Sequence, residues 1–273
     1  MILQQTYSLL KDRYGNRLNE LFVADIRIGI YLTALRLSDG SIGTAATLSG
    51  DHPFCKKSDR DFGDLSPLKI RGQKVAGILE SEKSSPVISS IKTAVLSAIS
   101  SEIIFSGNYN IVENCDPIDL TDLSPVKTIT IVGAFQSYIR KISGTGNKLY
   151  VLELSENALL PEHKKYFVPS REYGSILPDS DIIIITGQTL VNGTLDDLLK
   201  VISPEAHVII TGPSGNILPD ILFQNKISII GGIRITDPEK LFNIVSEGGA
   251  GFHLHEYCAR KICILRGNEI RIK

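Results

Sequence analysis

The chain has 273 residues, 42% of them hydrophobic and 22% charged, and its 29 basic and 30 acidic side chains leave a formal net charge of −1. Such a composition folds around the core of one large or two modest domains. The even charge gives no electrostatic footprint for nucleic acid, and no apolar run is read as a membrane span. The first residues lack the order of charge, apolar core and small residues that marks a signal peptide. A cytoplasmic location is therefore expected, with Cys55, Cys115, Cys258 and Cys263 present as thiols.

Leu3, Tyr7, Leu10, Tyr14, Leu18 and Leu21 recur every three or four residues and predict one opening helix. Ile26, Ile28, Ile30 and Leu32 then alternate with Arg27, Gly29, Tyr31 and Thr33, the period-two pattern of a single strand. Asp39-Gly40 is a hairpin turn signal, with a second strand over about 41–48. The charged stretch GDHPFCKKSDRDFGDLSPLKIRGQ has no periodicity and reads as a long loop. A short helix is expected over 74–81. A longer one opens at Ser85, placed to cap it, with Pro86 at its first position and Ile88, Ile91, Val95 and Ile99 along one face.

The acidic, two-proline segment 113–126 is read as a linker. Beyond it the apolar runs TITIVG, KLYVLEL, DIIIIT, AHVIIT and ISIIGG alternate with helical or loop segments, as strands buried on both faces do in right-handed βαβ crossovers. The fold class expected is α/β: residues 1–112 form a smaller α+β domain, and 127–273 an open, Rossmann-like parallel sheet.

On such a sheet, ligands bind outside the carboxyl ends of the strands. Five segments should gather there. The first holds Gly133 and Phe135, the second Glu153. The third is TGQTLVNGT with Thr186, Gly187, Gln188, Thr189 and Asn192. The fourth is TGPSGN with Gly212, Pro213 and Ser214, and the fifth begins at Gly231. Thr194 with Asp197 has the spacing of a capping box and is assigned to structure. GAFQSY lacks the glycines of a dinucleotide fingerprint, so a pyrophosphate clasp is not expected. Glu153, twenty residues beyond Gly133, stands where an acid accepts from a ribose. An acid without the phosphate loop suits an adenosyl ligand such as S-adenosylmethionine.

The stretches TIVGAF, LPDSDIIIITGQTLVNGTLDDLL, IITGPSGNILPDILF and IIGGIRITDPEKLFNIVSEGGAG resemble a heavy-metal-chelation family of unknown function, over about 126–251. The N-terminal part, with SIGTAATL, is similar to that family's companion domain. The resemblance implies an enolase-N-terminal-like domain followed by a Rossmann-like domain, with a site in the cleft between them. It also implies a role around metal chelation or around flavin-, pterin- or siderophore-like molecules. The long helix of the companion domain usually carries an Asn-Ala pair, where this chain has Thr93-Ala94 and Ser97-Ala98.

Two readings of function follow. In the first, an organic ligand occupies the interdomain cleft, which Thr44, Thr47, Asp51 and His52 close from the opposite side; His52 is the candidate general base. In the second, the protein is a non-catalytic metal or chelate carrier. GFHLHEYCARKIC supports that reading: in an extended segment His253 and His255 share a face with Cys258 a turn away, a nitrogen and thiolate set suited to a divalent heavy metal. His52 and Cys55 are a second pair. The same histidines and thiols are equally ordinary as surface and core residues. The partner expected is a small molecule, with neither nucleic acid nor membrane, and a homo-oligomer is left open.

Overall fold

The computed structural model describes residues 1–48, 62–124 and 126–267. Its strands are β1 (Val23–Ile28), β2 (Leu32–Leu37), β3 (Ile42–Ala46), β4 (Asn110–Glu113), β5 (Thr128–Val132), β6 (Lys148–Glu153), β7 (Phe167–Pro169), β8 (Ile182–Thr186), β9 (His207–Thr211), β10 (Ile227–Ile235) and β11 (Ala259–Leu265). The first three form an antiparallel sheet in the order β1-β2-β3. The other eight form one sheet in the order β4-β11-β10-β9-β8-β5-β6-β7. From β10 to β7 every neighbouring pair is parallel, and β11 and β4 run antiparallel at one edge.

Several expectations hold. The five apolar runs are five parallel strands, Asp39-Gly40 turns the hairpin from β2 to β3, and the long helix is Pro86–Ile104. Ser85 Oγ accepts from Ile88 N at 3.1 Å, as its N-cap position requires.

Others are corrected. The opening helix stops at Tyr14, with Gly15 at φ 53°, and resumes as Arg17–Glu20. The strand read through Ile26 to Leu32 is two strands, because Gly29 N donates to Leu32 O at 2.8 Å and closes a turn that leaves Ile30 73% exposed. The junction between the expected first domain and the linker is also reassigned. Residues 110–113 are a strand of the large sheet, bonded to β11, and Pro117–Leu120 is a short 3-10 helix lying on β10. Glycines 231 and 232 are not a loop: β10 runs on through them because β11 supplies a partner on its outer side, Gly231 opposite Cys263 and Gly232 opposite Ile262.

Side chains alternate across a sheet with period two. One face of the large sheet carries Ile183, Ile185, Val208, Ile210 and Ile230, and it shares a single apolar core with the N-terminal unit. Each isoleucine removed from water there contributes about 1.5–3 kcal/mol. The helix Pro86–Ile104 lies in this core with twelve of its residues buried. By length and composition it could cross a membrane, yet 67% of it is covered by its own protein, as a core helix is. The opposite face carries Ile129, Ile131, Ile182, Ile184 and Ile209, with the helix Gln136–Ser143 against it.

Candidate ligand crevice at the strand ends

Chain order along the parallel part of the sheet is 3-2-1-4-5-6 when counted from β7 through β6, β5, β8 and β9 to β10. The connections leave β5 toward β6 on one side and return to β8 on the other, so the strand order reverses beside β5. A crevice opens at such a reversal, at the carboxyl ends of the strands. Here the reversal lies between Gly133 and Thr186.

The residues at that edge are small. Counting by twos from Ile129, Ile182 and Ile209 puts Gly133, Thr186 and Thr211 on the face covered by the helix Gln136–Ser143. Gly133 has φ 107°, and a Cβ there would lie 3.2 Å from Thr186 Cβ. A side chain at this position would be crowded against Thr186 as well as strained by the positive φ. The Phe135 ring stacks on Tyr138 with centroids 5.4 Å apart. Pro117 packs over Gly231 of β10.

Glu153 ends β6 beside this row. One carboxylate oxygen accepts from Leu154 N at 2.6 Å, and the side chain is half-buried. Behind it, His163 Nδ1 lies 2.8 Å from Gln136 Oε1, and Gln136 Nε2 donates to Ala158 O at 2.8 Å. These bonds fold the segment after β6 down onto the start of the helix Gln136–Ser143.

The remaining expected residues are placed elsewhere or are already engaged. Thr44 is buried and donates to Pro213 O at 3.1 Å, and buried Ser214 accepts from Ala46 N at 2.8 Å. Thr44, Pro213 and Ser214 therefore fasten β3 onto the loop after β9, rather than lining an open interdomain cleft. Thr47 Oγ1 pairs with Thr33 Oγ1 at 2.9 Å. Thr189 is buried and donates to Thr186 O at 2.7 Å. Gly187 sits against the 213–215 turn, where a Cβ would lie 3.0 Å from Gly215 N. Gly212, at φ 122°, donates its N–H to Gly231 O at 3.0 Å. Gln188 is exposed. Exposed Asn192 accepts from Thr194 N at 3.0 Å and from Thr194 Oγ1 at 2.7 Å, which displaces the capping box expected between Thr194 and Asp197. His52, Asp51 and Cys55 lie outside the described residues.

The three-ligand metal set does not assemble. Residues 251–257 are helical rather than extended, so His253 and His255 point about 200° apart around the axis. His253 Nδ1 accepts from Ala250 N at 3.0 Å. Cys258 is buried among Leu32, Ile233 and Leu241, and burial, with the Asp237 carboxylate adding to it, pushes its thiol up to about 11. Among the described residues no three His, Cys, Asp or Glu side chains come together to hold an ion. A zinc centre closed by protein ligands takes four, and these residues do not fit one.

The sequence reading missed a polar cluster at the β10–β11 side of the crevice. Tyr138 Oη donates to Asp116 Oδ1, and Lys261 Nζ donates to Asp116 Oδ2 at 2.7 Å. Tyr138 is 7% exposed, and burial together with Asp116 raises its phenol far above its ordinary value, which keeps it a donor. Partial burial by itself would raise the Asp116 carboxyl, but the bonds from Lys261 and Tyr138 outweigh it and hold the group below its usual range. A depressed carboxyl contributes stability above its unfolded value of about 3.9 and loses it as pH falls through the folded value. The destabilisation of Asp116→Asn relative to wild type, measured by urea unfolding, should therefore be full at neutral pH and shrink once pH drops below about 3.9. A difference that stays constant down to acid pH would mean that Asp116 acts through shape and not through its charge.

The fold is that of a doubly wound α/β protein of Rossmann-like type joined to a small α+β unit. Two family models, both described as "Putative heavy-metal chelation", match residues 116–264 and 11–100. The first spans more than half of the chain, and this protein belongs to that family. Among solved structures, a family member of unknown function from Pyrococcus horikoshii is similar with a TM-score of 0.78, at 21% identity over 97% of this chain and 100% of that one. A second family member of unknown function, from Desulfitobacterium hafniense DCB-2, gives a TM-score of 0.66 at 19% identity over 95% and 99% of the two chains. At such identities the likeness bears on architecture. No curated protein matches.

Proposed function

We propose that this chain binds a small organic molecule across the carboxyl ends of β6, β5 and β8, and that the molecule is of adenosyl type. The observation that carries the reading is the reversal of strand order beside β5. At that point Gly133 takes a left-handed conformation and packs against Thr186, which clears the floor for a ligand. Glu153 is the recognising acid. Its bond from Leu154 N fixes the carboxylate at the end of β6 and leaves the second oxygen without a partner among the described residues. That is the chemistry a ribose diol needs. GAFQSY after β5 supplies no pyrophosphate loop, which favours a nucleoside over a dinucleotide. In this reading the organic molecule is the ligand of the strand-end site itself, because among the described residues no three His, Cys, Asp or Glu side chains come together there to hold an ion.

Calorimetric titration with S-adenosylmethionine, S-adenosylhomocysteine and adenosine tests the assignment. At least one should bind, and Glu153→Ala should weaken it by about 1–3 kcal/mol, the cost of removing one partner from a buried polar pair. No heat from any of the three rejects the adenosyl assignment.

A further inference from the structure

We propose that Cys115 and Cys263 form a two-coordinate site for a soft divalent cation of the mercuric type. The two cysteines are 148 residues apart in sequence, and the antiparallel pairing of β4 with β11 brings them together. Cys263 lies opposite Val112 in that ladder. Asn114 then turns the chain back with φ 54°, its N–H donating to Lys261 O at 2.8 Å. This turn sets Cys115 over Cys263. The Cys263 thiol donates to Cys115 O at 3.3 Å, which puts it within interaction range of the Cys115 thiol, itself 3.7 Å from Asp116 O. Cys263 is fully buried; Cys115 is half-buried and offers the way in.

The surroundings decide which ion fits. Thiolates select soft metals. The Asp116 carboxylate is held by Tyr138 and Lys261, so among the described residues the site supplies two thiol ligands and no third. That excludes zinc, which takes four, and suits an ion content with two sulfurs in line. The pocket is apolar, built with Ile118, Ile229 and Leu265, and the carboxylates of Asp116 and Asp119 are close enough to act on the thiol. A monovalent ion held by two thiolates would leave a net negative unit there, and burying such a charge is costly. A divalent ion gives a neutral one. The balance is simple: each thiol gives its proton to solvent, the two ligands that held the ion leave as two metal–sulfur bonds form, and nothing is oxidised or reduced.

The test uses the full chain under reducing conditions. One equivalent of mercuric chloride is added, followed by excess glutathione and gel filtration, and the retained mercury is measured. Wild type, Cys55→Ala and Cys258→Ala should each retain one ion per chain, and loading in weak buffer should release two protons per ion. Cys115→Ala should surrender its mercury to glutathione. Because Cys115 is half-buried, this variant keeps the fold, as circular dichroism should verify, and the proposal stands or falls on it. Cys263→Ala should behave in the same way. Mercury retained by Cys115→Ala as well as by wild type, its loss from Cys55→Ala or Cys258→Ala, or its loss from wild type to glutathione would each overturn the site.

Discussion

Gly43→Ala should destabilise the protein by about 3 kcal/mol or more, at or above the top of the range for overpacked cores. Gly43 lies in β3 where the helix Pro86–Ile104 crosses it, and an added Cβ would run into the carbonyl oxygen of Ala94 and the backbone of Ala98, with Ala98 Cα 2.9 Å away. These are backbone atoms of a helix buried on most of its surface, so no side chain can swing aside. Small residues on that helix, Ala94, Ser97 and Ala98, allow the approach, and Ser97 Oγ lies 3.4 Å from Thr44 N. The consequence reaches the strand-end loops, because β3 is also bonded to Pro213 and Ser214. Urea unfolding measures the loss. Gly77→Ala is the control: Gly77 sits in the helix Val75–Glu80 with open space around it, and alanine there should be neutral or add about 0.5–1 kcal/mol. An unchanged unfolding midpoint for Gly43→Ala would mean that strand and helix separate freely and that their contact is not what holds the N-terminal unit.

The second large effect is expected at Asn216, the last residue of TGPSGN. Its side chain clamps the middle of β10: Nδ2 donates to Ile233 O at 2.5 Å, and Oδ1 accepts from Ile233 N at 3.0 Å. Asn216 is 6% exposed and Ile233 2%, so water cannot take over either bond. Gly232 is the necessary complement, since a Cβ at that position would overlap Asn216 Oδ1. Asn216→Ala strands a buried N–H and a buried carbonyl, each costing about 1–3 kcal/mol, for a total of about 2–6 kcal/mol. Asn192→Ala should cost under about 1 kcal/mol, because that side chain is exposed and water can replace its bonds to Thr194. Thermal unfolding ranks the two, and native-state hydrogen exchange should show the Ile233 amide losing protection in Asn216→Ala. Equal effects from both variants would refute the clamp.

Much of the architecture is written in the chain itself. Five apolar runs with helices between them dictate a parallel sheet, because only strands covered on both faces carry unbroken Ile and Val. Ser85-Pro86 dictates where the long helix starts, because the cap and the fixed proline φ act within one turn. That Gly133, Glu153 and Thr186 stand at strand ends is legible in the sequence, whereas the reversal of strand order beside β5 is set by how the sheet assembles. Which polar residues remain free is decided by tertiary packing. Thr44, Thr189, Asn192 and Ser214 have the types a ligand site uses, but buried hydroxyls and amides bond to any backbone group within reach, and that reach is set by how β3 and the 213–215 turn meet. An extended segment 251–257 would put His253 and His255 on one face. The segment is a helix because Leu254 and Cys258, four residues apart, both turn into the core against β2 and β10. Gly231 and Gly232 are strand rather than loop because β11 returns alongside them, and the same return sets Cys263 beside Cys115. The local pattern of a sequence determines its elements through forces that act over a few residues; the meeting of β4 with β11, more than a hundred residues apart, is fixed only when the whole sheet has found its core.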